Sequence, residues 1–274
     1  MTYCVAMRLN AGLVFLSDSR TNAGMDQIST FRKMTVYEKE GDRVLVLLSA
    51  GNLAITQAVK QLLSSETIEG SDGEPCTIWT ANSMFDVARI VGSCVRKVHA
   101  RDADALKRHG IDFNCSLIIG GQIDGETMRL FNVYAAGNFV EAGIDGVCYF
   151  QIGESKYGKP VIDRVVTPQT PLQEAAKCAL ISMDSTLKSN LSVGLPLDLM
   201  VYEAGSLKVD KLIHIDESNA YFRMIRTTWG QRLRQVFDSI PEPTWSGEQP
   251  DLAAGAPAQP QAMNPLSKIS APNA

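Results

Sequence analysis

The spacing of apolar residues changes from strand-like to helical and back along this chain, and that order restricts the available folds more than any single motif. Residues 2–9 and 12–17 predict two strands joined at Asn10-Ala11-Gly12, a turn suited to a hairpin. "MTVYEKEGDRVLVLLSAG" repeats the design around Glu40-Gly41-Asp42. Ile55, Val59, Leu62 and Leu63 then recur at helical spacing, as do Met84, Val87, Ile90, Val91, Cys94 and Val98. "NCSLIIGGQIDGETMRLFNVYAAG" returns to strands, broken at Asp124-Gly125. Leu172, Ala175, Ala176, Ala179, Leu180 and Met183 share one face of a later helix, and "PLDLMVYEAG" and "LKVDKLIHI" close the core as two more strands. Strands, two helices, strands, at least one helix, strands: this order predicts an α+β fold in which two antiparallel sheets stack with helices outside.

The core is expected to end near residue 240. Seven of the chain's twelve prolines follow that point, so 241–274 is expected to be a disordered or subunit-contacting Pro/Ala-rich tail, and 2–240 the folded domain.

Composition excludes several functions. A net charge of −4 without a Lys/Arg run gives no footprint for nucleic acid. No apolar run approaches the roughly 18 residues of a membrane span, and the first residues lack a secretory pattern, so a cytoplasmic protein is expected. The six cysteines are scattered singly without a C-x-x-C pair, which predicts small buried apolar residues rather than a zinc site or disulfide framework. "GESKYGKP" matches G-x-x-x-x-G-K from Gly153 to Lys159, but Pro160 stands where a phosphate loop needs Ser or Thr. With only His99, His109 and His214 present, a histidine-based triad has few candidates.

An activated hydroxyl still needs a base. Thr2 follows Met1 directly and is small enough for Met1 to be trimmed, which would put a hydroxyl beside a free α-amine. A threonine served by its own N-terminal amine is one of the recurrent activated nucleophiles. The reference pKa of an α-amine is about 7.7–8.0. A neighbouring cation lowers it, leaving more of the amine able to accept a proton near neutrality. Lys33 is the candidate cation, and Asp18, at the end of the second strand, the candidate partner that fixes it. Singly each residue has a plainer explanation as a terminus, a turn residue or a solvated strand end; the combination carries the signal.

"TYCVAMRLNAGLVFLSDSRTNAG…RKMTVYEK…LVLLSAGN" resembles the N-terminal half of the proteasome β-subunit and HslV family of N-terminal-nucleophile hydrolases, and most of all its bacterial branch of ancestral β-subunits. The similarity covers roughly residues 2–215, with "SLIIGG", "FQIGES" and "LDLMVY" as later matches. It implies a four-layer αββα sandwich and a threonine-type peptidase needing no cofactor or metal. Thr2 would be the nucleophile, Asp18 and Lys33 its supporting pair, and Arg20 a structural arginine. Gly51 would give the oxyanion N–H, its lack of Cβ letting the peptide approach, and Ser49 and Ala50 would line the strand along which substrate lies. The chain departs from the family pattern at Gly153-Glu154-Ser155, where either Glu154 or Ser155 would hold the amine. It departs again at Asn190, where the family has an aspartate for which Asp184 is an imperfect substitute. The resemblance also implies a homo-oligomer, ring-like or openly helical, acting on peptide or protein; whether an ATP-driven unfoldase serves it is left open. An assembly subunit with weak or lost catalysis, and a small-molecule amidase of the same fold, are the alternatives.

Overall fold

The structure is a computed structural model that describes residues 2–22, 28–143 and 146–243. Met1 and residues 244–274 lie outside these, so neither Met1 removal nor the expected tail beyond 243 is described. The described residues divide into two units, one ending at Trp229 and the other beginning at Gly230.

Strands β1 (Tyr3–Leu9) and β2 (Gly12–Asp18) form the first hairpin. After the short pair β3 (Arg20–Asn22) and β4 (Ile28–Thr30), β5 (Met34–Lys39) and β6 (Arg43–Gly51) form another. Helix α1 (Leu53–Leu63), the two-residue strands β7 (Ile68–Glu69) and β8 (Pro75–Cys76), and α2 (Met84–Arg108) follow. Both helices begin at side-chain caps. Asn52 Oδ1 accepts the Ala54 N–H at 3.0 Å, while Ser83 Oγ accepts the Asp86 N–H at 3.0 Å and donates to Asp86 Oδ2 at 2.9 Å. The chain then returns to strands β9 (Cys115–Ile123), β10 (Arg129–Val133), β11 (Phe139–Glu141) and β12 (Tyr149–Gly153). Helices α3 (Ser155–Val165) and α4 (Leu172–Ser189), strands β13 (Leu197–Glu203) and β14 (Lys211–Ile215), and α5 (Ala220–Ser239) complete it.

The larger strands make two five-stranded antiparallel sheets, ordered β12-β1-β2-β13-β14 and β11-β10-β9-β6-β5. Because successive side chains in a strand point to opposite faces, each inner strand feeds two cores. Tyr3, Val5, Met7 and Leu9 of β1 pack with α3 and α4, whereas Cys4 and Ala6 point at the other sheet. Leu45 and Leu47 of β6 pack under α1 and α2, whereas Val44, Val46 and Leu48 face inward. The result is the four-layer αββα sandwich, with one apolar core between the sheets and one beneath each helical layer.

Two helices escape the sequence reading. The Gly153–Lys159 run that imitates a phosphate loop folds as the end of β12 and the start of α3, and Pro160 sits inside that helix. Gly158 faces a buried polar knot in which Tyr3 Oη meets Ser182 Oγ at 2.5 Å and accepts from Gln151 Nε2 at 2.5 Å. A Cβ on Gly158 would stand 2.2 Å from Ser182 Oγ and 2.5 Å from Tyr3 Oη. A Gly158→Ala variant is therefore expected to lose about 1–3 kcal/mol from overpacking, more than the ~1 kcal/mol that alanine gains in helix propensity. The urea midpoint measures the net sign, and an unchanged or higher midpoint would contradict the packing argument. In α5 the residues buried in the first unit are Phe222 and Ile225.

Candidate active site

Thr2 precedes β1 and is half-buried at the mouth of a cavity of about 620 Å³. Pairing of Tyr3 with Gly153 at the end of β12 holds it there, and the Glu154 N–H donates to the Thr2 carbonyl at 2.7 Å. Gly153 has φ +81°, and a Cβ there would stand 1.9 Å from that carbonyl oxygen, so only glycine lets the two strands close.

One strand away, Asp18 ends β2 with no exposure. Its Oδ1 accepts from the Tyr3 N–H at 3.0 Å and from Lys33 Nζ at 2.7 Å, and its Oδ2 faces the Gly194 N–H at 3.4 Å. Lys33 Nζ also donates to the Arg20 carbonyl at 2.7 Å. Burial pushes the Asp18 carboxyl above the usual carboxylate range, against the pull of the Lys33 ammonium and the two N–H groups. The pair is thus an ammonium fixed between a carboxylate and a carbonyl, on the wall that Thr2 also lines.

The third wall comes from β6 and α1. Ser49, Ala50 and Gly51 line the cavity, and the Ser49 N–H and Oγ–H both donate to the Lys33 carbonyl, at 3.0 and 3.2 Å. The structure adds a reason for glycine at 51 that the sequence does not show. Its φ is +111°, and a Cβ would lie 2.4 Å from the Asn114 carbonyl oxygen, so neighbouring backbone forbids a side chain before any substrate enters. Asn114 and Ser116 line the cavity as well, because β6 pairs with β9 so that Gly51 faces Cys115 and Ala50 faces Ser116. Sequence reasoning missed both; register between segments more than sixty residues apart leaves no local trace. It also missed Arg32, whose only sequence signal was the cation beside Lys33, and Thr21, Asn52, Leu53 and Thr56.

The remaining expected residues separate. Glu154 lines the cavity, with Lys156 Nζ at 3.8 Å from its Oε2; Ser155 does not, and its carbonyl accepts from Gln151 Nε2 at 3.4 Å. Arg20 lies behind the site, donating from Nη1 to the Leu191 carbonyl at 3.0 Å. Its guanidinium packs on Gly194, where a Cβ would be 2.1 Å from Nε, so Arg20 braces the loop whose N–H faces Asp18. Asp184 and Asn190 do not line the cavity. Asp184 is buried on α4, where burial pushes its carboxyl up against the opposing pull of Arg226, whose Nε lies 3.3 Å from Oδ1. Asn190 ends α4, its N–H donating to the Thr186 carbonyl and its Oδ1 accepting from the Ser192 N–H, both at 2.9 Å. Among the described residues, no group of three or more His, Cys, Asp or Glu side chains could hold a metal ion, and no helix is long and apolar enough to cross a membrane.

The fold that carries this cavity, with Thr2 just ahead of β1, has counterparts in solved structures. The Anbu (ancestral β-subunit) of Yersinia bercovieri is 52% identical, with a TM-score of 0.80 over 89% of this chain and 100% of that one. The chain belongs to the Anbu family of proteasome-like ancestral β-subunits. The Anbu of Pseudomonas aeruginosa, solved as a helical assembly of the Anbu complex, is 44% identical with a TM-score of 0.81, covering 90% of this chain and 100% of that one. A Gly-1 mutant of the Anbu from Hyphomicrobium sp. strain MC1 is 46% identical with a TM-score of 0.80, covering 89% and 100%. No family model and no curated protein matches the chain.

Proposed function

We propose that this Anbu subunit is a threonine-type amide hydrolase that cuts peptide bonds from within a homo-oligomer. The observation that carries the reading is that Thr2, Lys33 and Gly51 line one cavity, with the Lys33 ammonium pinned by Asp18 and the Arg20 carbonyl.

Removal of Met1 frees the Thr2 amine. Thr2 Oγ attacks the scissile carbonyl carbon while the amine, through a water, takes the hydroxyl proton. The lysine disfavours a second positive charge on the amine and stabilises the negative charge that develops on oxygen. The Gly51 N–H, at the N-terminal end of α1, donates to the oxyanion, where the helix dipole adds a favourable potential. The carbon–nitrogen bond breaks as the leaving amine collects the proton, and water then cleaves the ester on Thr2 by the reverse relay. Glu154, which lines the cavity and whose own N–H holds the Thr2 carbonyl, is the better placed of the two candidates for steadying the amine. Assembly into a helical or ring-like multimer is proposed by likeness to the Pseudomonas aeruginosa complex.

Intact mass with and without a threonine-directed electrophile tests the reading on the purified full chain. The expected masses are those of a chain lacking Met1 and of the same chain carrying one probe at residue 2. A chain that retains Met1, or probe attached elsewhere, would refute the mechanism and favour a subunit that only assembles.

A further inference from the structure

We infer that Arg32 and Lys60 make the cavity beside Thr2 select peptides with an acidic side chain next to the bond that is cut. The inference rests on the proposed hydrolase reading and adds to it the substrate class.

Arg32 lies between β4 and β5, lines the cavity, and is exposed. Among the described residues, no carboxylate pairs with its guanidinium. Lys60 stands behind it on α1, one turn after Thr56 and two after Leu53, which both line the cavity; positions at this spacing share a helix face. Its ammonium is half-buried, and its acceptor is the Arg32 carbonyl at 3.4 Å, long for a charged donor. Burial lowers the Lys60 pKa, the mark of an ammonium short of compensating charge. Arg32 therefore stands on the wall with Lys60 behind it, and among the described residues neither is paired with a carboxylate.

Each of the two described carboxylates nearest the site has a lysine neighbour of its own. Asp18 is held by Lys33 behind the wall, and Glu154, on the β12–α3 side, has Lys156 as its neighbour. An entering carboxylate thus meets a guanidinium able to grip it bidentately, with which no described carboxylate is paired. A neutral or apolar side chain would strip water from Arg32 and return nothing, and a basic one would be repelled.

Internally quenched peptides that differ only in the residue preceding the cut test this on the wild-type full chain. A Glu peptide is expected to exceed its Gln isostere by roughly tenfold in kcat/KM, and raised salt should shrink that ratio because Arg32 is exposed. Arg32→Gln and Lys60→Gln should each reduce the ratio, and Arg32→Glu should transfer the preference to a Lys peptide. Equal rates on Glu and Gln peptides, or an undiminished ratio in both Gln variants, overturn the inference and leave the hydrolase reading standing. Absence of cleavage with selective binding of the Glu peptide by fluorescence anisotropy, lost in Arg32→Gln, overturns the hydrolase reading and keeps the preference. Neither cleavage nor selective binding overturns both.

Discussion

Thr2→Ala is expected to lower peptide hydrolysis by roughly a thousandfold or more, because it removes the atom that forms the covalent intermediate and leaves only binding and oxyanion stabilisation. The substitution should spare the fold. Thr2 is half-buried, and its hydrogen bond to the Glu154 N–H comes from its backbone carbonyl, which alanine retains. Its stability cost should stay within about 1 kcal/mol. Thr2→Ser keeps a hydroxyl beside the amine and is expected to retain most of the activity, which separates loss of the nucleophile from disturbance of the terminus. Kinetics on quenched peptides, with the thermal midpoint as a control for folding, provide the comparison. A Thr2→Ala chain as active as the wild type would show that another group does the chemistry.

What the sequence reveals about this fold depends on how local each determinant is. Hairpins β1–β2 and β5–β6 and helices α1, α2 and α4 carry their own turns and periodicity, so they can be read directly from the residues. Helix α3 hides behind Pro160 and a glycine-rich run that imitates a phosphate loop. Helix α5 hides because only Phe222 and Ile225 of its residues are buried in the first unit, too few to mark an apolar face.

The site divides along the same line. Thr2, Asp18 and Lys33 are legible because their chemistry singles them out and strand ends place them. Asn114 and Ser116 reach the cavity through the register between β6 and β9, which no short stretch records. Asp184 was legible as an acid but not as a partner of Arg226, since that arginine sits on the helix the pattern does not show. Gly51 is legible as a candidate oxyanion donor, but the backbone constraint from the Asn114 carbonyl is not.

Lys33→Met should be the most costly single change to stability, and its pH dependence identifies the cause. The Lys33 side chain is 7% exposed and that of Asp18 fully buried, so the methionine leaves a carboxylate without its strongest partner, while the N–H groups of Tyr3 and Gly194 remain. Breaking a buried pair on one side costs about 3–5 kcal/mol. The folded protein already holds the Asp18 carboxyl above its usual value, chiefly through burial, and loss of the lysine raises it further. A carboxyl whose pKa is higher folded than unfolded binds its proton more tightly in the native state. Its contribution is therefore most favourable below the unfolded value and is lost as pH rises through the folded one. The variant's deficit relative to wild type should accordingly be largest near neutrality and shrink toward acid, where Asp18 is protonated in the variant and no longer needs a counter-charge. Urea unfolding of both proteins across that range measures it. A deficit that stays constant with pH would mean that lost packing, rather than the stranded carboxylate, accounts for the damage. Activity should fall for a separate reason, since without the ammonium the Thr2 amine is a stronger base that stays protonated near neutral pH; the acid limb of the rate profile should move upward together with the loss of rate.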